Sequence, residues 1–160
     1  MQGKALIMGD SVRIFELLKA EEYYVGVVNR LLGQLSSAPV SFGLHELDSI
    51  GSSSSTHLFL LECNGDIAGM LTLGEYLAPT GRKMWIEDVV VDASMRGRSF
   101  GRALVEHAME YAATLGNGAL MLTSRPSRVA ANALYRSCGF EQRETNVYRM
   151  KIASENHEVE

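Results

Sequence analysis

Three arginines and two glycines stand within the seven residues Arg96-Gly97-Arg98-Ser99-Phe100-Gly101-Arg102, directly after the apolar run "VVVD" and directly before an amphipathic stretch. That pattern places them at the mouth of a helix that follows a core strand. The first turn of any helix leaves about four N–H groups without intrahelical partners, at the positive end of the helix dipole. A phosphate is the ligand such an arrangement suits. Gly97 and Gly101 carry no Cβ and let a ligand approach the backbone. Arg96, Arg98 and Arg102 add forked positive charge that matches phosphate oxygens. No Gly-Lys-Ser/Thr follows, so this is not a P-loop, and G-x-G-x-x-G is absent too. Taken alone, the motif reads equally well as a solvated helix start with surface arginines.

The elements that must position these residues follow from periodicity. Val12 to Leu18 alternates like a first strand, and Tyr24, Val27, Val28, Leu31, Leu32 and Leu35 recur at helical spacing, with Pro39 ending that helix. "FGLHELDSIG" holds a short second helix. "THLFLLECNGDIAGMLTLGEY" predicts two strands joined at Asn64-Gly65-Asp66, and "APTGRK" turns the chain into a third apolar strand, "MWIEDVVVD". Phe100, Leu104, Ala108, Tyr111 and Leu115 continue helically until Gly116 and Gly118. "ALMLTS" predicts a strand, "SRVAANALYRSCGF" a shorter helix closed by Gly139, and "EQRETNVYRMKI" a final strand or hairpin. A meander followed by two β-α-β-like crossings predicts an α/β (α+β) fold: one mixed, mostly antiparallel sheet of about six to seven strands, flanked by helices.

At 160 residues a single domain over 1–160 is expected, with 1–10 and 153–160 as flexible ends. Hydrophobic residues at 46%, charged residues at 21% and a net charge of −4 fit an ordinary globular protein and argue against nucleic-acid or membrane partners. No stretch approaches the roughly 18 apolar residues that span a bilayer. Cys63 and Cys138 show neither metal-ligand spacing nor a disulfide framework, and are expected to be reduced and partly buried, in the cytoplasm. His45, His57, His107 and His157 lack ligand spacing and read as surface or helix-face histidines, so no metal is expected. Ser124 and Ser127 sit in no nucleophile elbow.

"RGRSFGRAL" after "VVVD", with "AANALYRSCGF" further on, resembles the GNAT family of N-acetyltransferases. Arg96 and Gly101 match the first and last positions of its Gln/Arg-x-x-Gly-x-Gly/Ala signature, while Ser99 stands where the middle glycine would be. Asn132, Tyr135 and the closing Gly139-Phe140 match its second segment. The resemblance is strongest from Trp85 to Met150. The stretch from Trp85 to Gly101 is also similar to glucosamine-6-phosphate N-acetyltransferases, from which the sugar substrate is not carried over.

What the resemblance implies is an acyl-CoA N-acyltransferase fold and an enzyme that passes the acetyl group of acetyl-CoA, its cosubstrate, directly to a primary amine of a small molecule or peptide. Val89, Val90 and Val91 would pair their backbone with the pantetheine arm. Arg96, Gly97, Arg98, Ser99, Phe100, Gly101 and Arg102 would hold the pyrophosphate, and Asn132 would hydrogen-bond the cofactor. Tyr135 occupies the position that protonates the departing sulfur. An amine of pKa about 10.4 costs about 4–5 kcal/mol to deprotonate at pH 7, so a base is needed. Glu87 is the favoured base, with Asp88 or a water as rivals, and strand alternation puts the two carboxylates on opposite faces. Dimers are frequent in the family, which allows a homodimer here. The competing reading is a CoA-binding sensor without transfer activity, motivated by a Ser99 side chain crowding the pyrophosphate. Tyr76, the serine-rich loop and the "ETNVY" segment would shape the acceptor side.

Overall fold

The computed structural model describes residues 9–38 and 40–153. Its elements in chain order are β1 (Val12–Glu16), α1 (Glu22–Leu35), α2 (Leu44–Gly51), β2 (Thr56–Cys63), β3 (Asp66–Ala78), β4 (Gly81–Val91), a 3-10 turn (Ala93–Met95), α3 (Phe100–Leu115), β5 (Gly118–Met121) and α4 (Val129–Ser137). The five strands form one sheet in the order β1-β2-β3-β4-β5, antiparallel throughout except for the parallel pair β4–β5. Parallel neighbours need a crossover, and α3 supplies it.

Two cores lie on opposite faces of this sheet. Phe59, Leu61, Leu71, Leu73, Met84 and Ile86 face α3, which contributes Phe100, Leu104, Val105, Ala108 and Ala112. Leu58, Leu60, Met70 and Val90 face α1 and α2, which contribute Val27, Val28, Leu31 and Leu47. The interior strand β2 is buried on both faces, which is why "HLFLL" shows no polar alternation. Asn64 (φ 54°) and Gly65 (φ 91°) make the two-residue turn between β2 and β3, where both positions need positive φ.

Several expectations change. The sheet has five strands among the described residues, because "EQRETNVYRMKI" forms neither strand nor hairpin: residues 141 to 153 are exposed and outside the sheet. Only one of the two crossings is completed. The first strand ends at Glu16 rather than Leu18, since the chain turns there toward α1. His57 is no surface histidine. It is 6% exposed on β2, with Nδ1 2.7 Å from Glu16 Oε1 and 3.1 Å from the Tyr111 hydroxyl. Cys63 is buried and Cys138 half-buried, both as free thiols. Pro39, His157 and the expected flexible ends at 1–8 and 154–160 lie outside the described residues. No helix among those described is long and apolar enough to cross a membrane.

Candidate active site

The site grows from one irregularity in β4. Met70 pairs with Val90 and Thr72 with Glu87, so Asp88 and Val89 together face the single residue Leu71. This is a β-bulge, and Asp88 sits at φ 51°, a left-handed conformation that costs a non-glycine residue about 1 kcal/mol or more. The extra residue inverts the strand's parity. Ile86 points into the α3-side core, whereas Val90 points into the other. The side chains of Glu87 and Asp88 are both exposed at the bulge.

A second irregularity opens the sheet. The β5 strand pairs with β4 only from Arg82↔Gly118 to Trp85↔Met121. From Ile86 to Val91 that edge of β4 has no strand partner among the described residues, while its other edge stays paired to β3. Val89, Val90 and Val91 thus lie on a half-unzipped strand whose outward backbone groups have no ladder partner, as an added strand would need.

Where β4 ends, the chain is bolted to α1. Asp92 is 7% exposed and caps the 3-10 turn, Oδ1 accepting from Ser94 N at 3.0 Å and from Ser94 Oγ at 2.7 Å. Its Oδ2 takes the Arg30 guanidinium and, at 3.3 Å, Gln34 Nε2. Arg30 also donates to Ile67 O at 2.9 Å, and Gln34 Oε1 accepts from Ala93 N at 2.7 Å. The hydrogen bonds from Ser94, with those of Gln34 and the Arg30 charge, hold the Asp92 carboxyl below its usual range. Sequence reasoning missed this network, since its members are scattered over α1, β3 and the turn after β4 with no local signature.

Beyond it, Gly97 (φ 80°) and Ser99 (φ 61°, ψ 18°) bend the chain into α3. Ser99 is the helix N-cap and makes no side-chain cap bond, unlike most serines there. The amides from Gly97 to Arg102 have no acceptor among the described residues; the first backbone bond back to the cap is Ala103 N to Ser99 O at 3.0 Å. They surround a cavity of about 260 Å³ lined by Val91, Arg96, Gly97, Ser99, Phe100, Gly101, Arg102 and Leu134. A Cβ on Gly101 would come within 3.4 Å of Leu134 Cδ2, narrowing that cavity.

Most of the arginine-rich stretch is thus gathered on one cavity, with exceptions. Arg98 turns away: its NH1 lies 3.5 Å from Asp10 Oδ2 and 3.9 Å from Cys63 Sγ. The Phe100 ring is 7% exposed and packs in the α3-side core, leaving only its backbone to the cavity. Arg102 reaches Glu106 at 3.3 Å and Ser137 Oγ at 2.5 Å, which ties α3 to α4. Leu134 was not foreseen, because nothing in a helical leucine marks it as lining a polar site.

Tyr135 is 6% exposed among the α3-side core residues, its ring edge-on to Phe140 at 6.2 Å. Burial raises its pKa, with a smaller push from Cys138 against the lowering effect of Arg128, so the hydroxyl stays protonated at neutral pH. Glu87 pairs across from Thr72 on the α1–α2 face, because Leu71 and Leu73 on either side of Thr72 face α3. The two therefore lie on opposite faces of the sheet. Partial desolvation and, next, the Asp88 charge raise the Glu87 pKa; desolvation raises that of Asp88. Asn132 donates to Arg125 O at 2.8 Å and so braces the turn before α4.

On the Glu87 face the register aligns Thr72↔Glu87, Gly74↔Trp85 and Tyr76↔Lys83. Gly74 has open space where a Cβ would be, and Tyr76 is 54% exposed. This is an uncovered shelf with an indole, a phenol and a carboxylate along it.

The model of the acetyltransferase (GNAT) family matches residues 16–140. The chain belongs to that family. It is thereby an acetyl-transferring enzyme, and members of this GNAT family use acetyl-CoA. Among its relatives is glucosamine 6-phosphate N-acetyltransferase 1 of rice, 27% identical over 140 residues, which cover 82% of this chain and 81% of that protein. The crystal structure of glucosamine-6-phosphate N-acetyltransferase from Arabidopsis thaliana superposes with a TM-score of 0.73 at 25% identity, covering 88% of this chain and 98% of that one. An aminoglycoside N-acetyltransferase, AAC(6')-Iy, solved in complex with CoA, shares the GNAT fold with a TM-score of 0.72 at 15% identity, over 91% of this chain and 97% of that one.

Proposed function

We propose that the protein transfers the acetyl group of acetyl-CoA directly to a primary amine on a small molecule or peptide. The observation that carries this reading is the continuity of the open β4 edge, Ile86–Val91, with the cavity of unpaired amides at Gly97–Arg102. One ligand with a diphosphate at one end and an extended amide-bearing arm at the other would satisfy both.

Arg96 and Arg102, with the first-turn amides of α3, hold the diphosphate, while Val89–Val91 pair with the arm. Bound acetyl-CoA supplies an activated thioester. Glu87 accepts the proton that the ammonium form of the acceptor must lose, directly or through a water. As the amine nitrogen bonds to the acetyl carbon and the carbon–sulfur bond breaks, Tyr135 gives its proton to the departing sulfur, the nitrogen sheds its second proton to solvent, and solvent returns one to Tyr135. The raised pKa values suit both roles: a stronger base at Glu87 and a hydroxyl that is still protonated at Tyr135. Arg98, directed at Asp10, is left a supporting role in the loop. The shelf along Thr72, Trp85 and Tyr76 receives the acceptor, and its open, mixed polar–aromatic surface favours a small amine or a peptide end. Activity takes place in an aqueous compartment such as the cytoplasm, without a metal.

The test is thiol release from acetyl-CoA against pooled amino sugars, polyamines, aminoglycosides, amino acids and lysine peptides. Tyr135→Phe should lower kcat at least tenfold, whereas Arg102→Ala should weaken CoA binding about tenfold in a parallel titration. Release no faster than hydrolysis in every pool, with CoA still bound, would reject the amine acceptor.

A further inference from the structure

The two faces of the β3–β4 ladder treat their charges differently. On the α3 side Glu75 and Arg82 form an ion pair with little of either side chain exposed. On the other face Lys83 and Glu87 have no ion-pair partner among the described residues, and they do not pair with each other. The register between them is regular, from Tyr76↔Lys83 through Gly74↔Trp85 to Thr72↔Glu87. At about 3.3 Å a residue, their Cα atoms stand about 13 Å apart.

The floor between these opposite charges is aromatic and uncovered. Trp85 lies between them on the same face, Tyr76 is cross-strand from Lys83 and 54% exposed, and neither ring belongs to either core. Gly74, opposite Trp85, leaves open space where a side chain would stand. A carboxylate, an aromatic floor and an ammonium in line are the electrostatic complement of a molecule with an amine at one end and an anion at the other. Lys83 is the one cation on this face of the ladder. A single ammonium balances a carboxylate, whereas a phosphate carries about −1.5 to −2 at pH 7. With the lysine chain leaning inward, the amine and carboxylate of such a ligand stand roughly 10 Å apart, the reach of an extended tripeptide.

We propose that the acceptor is a short peptide, or an amino acid of similar span, whose amine meets Glu87 and whose carboxylate meets Lys83 across Trp85. This names the acceptor class of the transfer reading above and rests on it.

Trp85 is the chain's sole tryptophan, so its fluorescence reports a ligand on this floor independently of turnover. Triglycine and triglycinamide, which differ only at the carboxylate, are titrated into the full chain, and thiol release from acetyl-CoA is then measured with both. Triglycine should bind about tenfold more tightly than its amide, the size of one charge-assisted hydrogen bond, with a similar advantage in kcat/KM. Diglycine, too short to span the two charges, should bind several-fold more weakly than triglycine. Lys83→Met keeps the apolar stem and should erase the preference for the acid, and Lys83→Glu should reverse it. Equal binding of acid and amide by the wild type overturns the proposal, as does a preference that survives Lys83→Met. A preference in fluorescence without thiol release from any amine would keep Lys83 as a carboxylate site and reject acetyl transfer. Thiol release from other amines without that preference would do the reverse.

Discussion

The β4 strand has two halves that do opposite work. From Arg82 to Trp85 it is paired on both edges, to β3 and to β5, and Arg82 also forms an ion pair with Glu75 of β3. From Ile86 to Val91 it is paired on one edge only, carries the bulge at Asp88, and displays both carboxylates to solvent. The closed half satisfies its backbone within the protein; the open half keeps hydrogen-bonding capacity in reserve. Changes that disturb the ladder of the closed half should therefore cost stability, and changes in the open half should cost activity.

The sharpest break in that comparison is Glu87→Gln. In the open half, it should lower kcat about 10²–10³-fold with a melting temperature within a degree or so of wild type, measured by initial rates and calorimetry. The pH profile sharpens it further. As the proposed base, Glu87 would act only when ionised, so the rate should fall as pH drops through its pKa, and the raised pKa should set that acidic limb higher than an ordinary glutamate would. In Glu87→Gln this limb should vanish.

Gly118→Val addresses the closed half. A Cβ there would lie 2.7 Å from Arg82 O, a backbone atom that cannot step aside without parting β4 from β5. The expected cost is about 2–3 kcal/mol, seen as a lower denaturant midpoint. Asp92→Asn tests the bolt where the open half ends. Half-exposed Arg30 can regain water, so the loss should be about 2 kcal/mol, or roughly 4–8 °C in Tm. Here the folded-state pKa is depressed, so the stabilisation is present above the unfolded value of about 3.9 and is lost as pH falls through the lower, folded one. The unfolding free energy of Asp92→Asn should accordingly fall less steeply on acidification than that of wild type. The smallest effect belongs to Ser99→Gly, which relieves a positive φ and should add roughly 0.5–1 kcal/mol. Unchanged CoA affinity in that variant would show that the serine side chain does not crowd the diphosphate.

Much of this was legible in the chain itself. Local periodicity marked α1, α3, α4 and the hairpin at Asn64-Gly65, because each buries a face whose spacing is its own signature. Most residues around the cavity at the start of α3 were legible as a group for a simpler reason, since Arg96, Gly97, Ser99, Phe100, Gly101 and Arg102 are near neighbours in sequence. What escaped depends on partners far away. The bulge at Asp88 exists only relative to Leu71, and the Arg30–Asp92 bolt joins residues on different elements. The burial of His57 required Glu16 and Tyr111 to converge on it. Arg98 read like its neighbours until Asp10, from another part of the chain, drew it aside. The expected final strand at "EQRETNVYRMKI" does not form, because an alternating pattern marks a face but supplies no neighbouring strand to pair with.

The extra residue at Asp88 has one more consequence, best put in the language of insertions and deletions. For side chains, β4 has a reading frame of two, and Asp88 shifts that frame. A chain lacking this one residue would keep every valine, yet Val90 and Val91 would trade faces. One core would lose the residue it packs and the other would gain one it has no room for. The residue that looks most dispensable in the strand, exposed and conformationally strained, is therefore the one whose removal would scramble everything downstream of it up to the cavity at the start of α3.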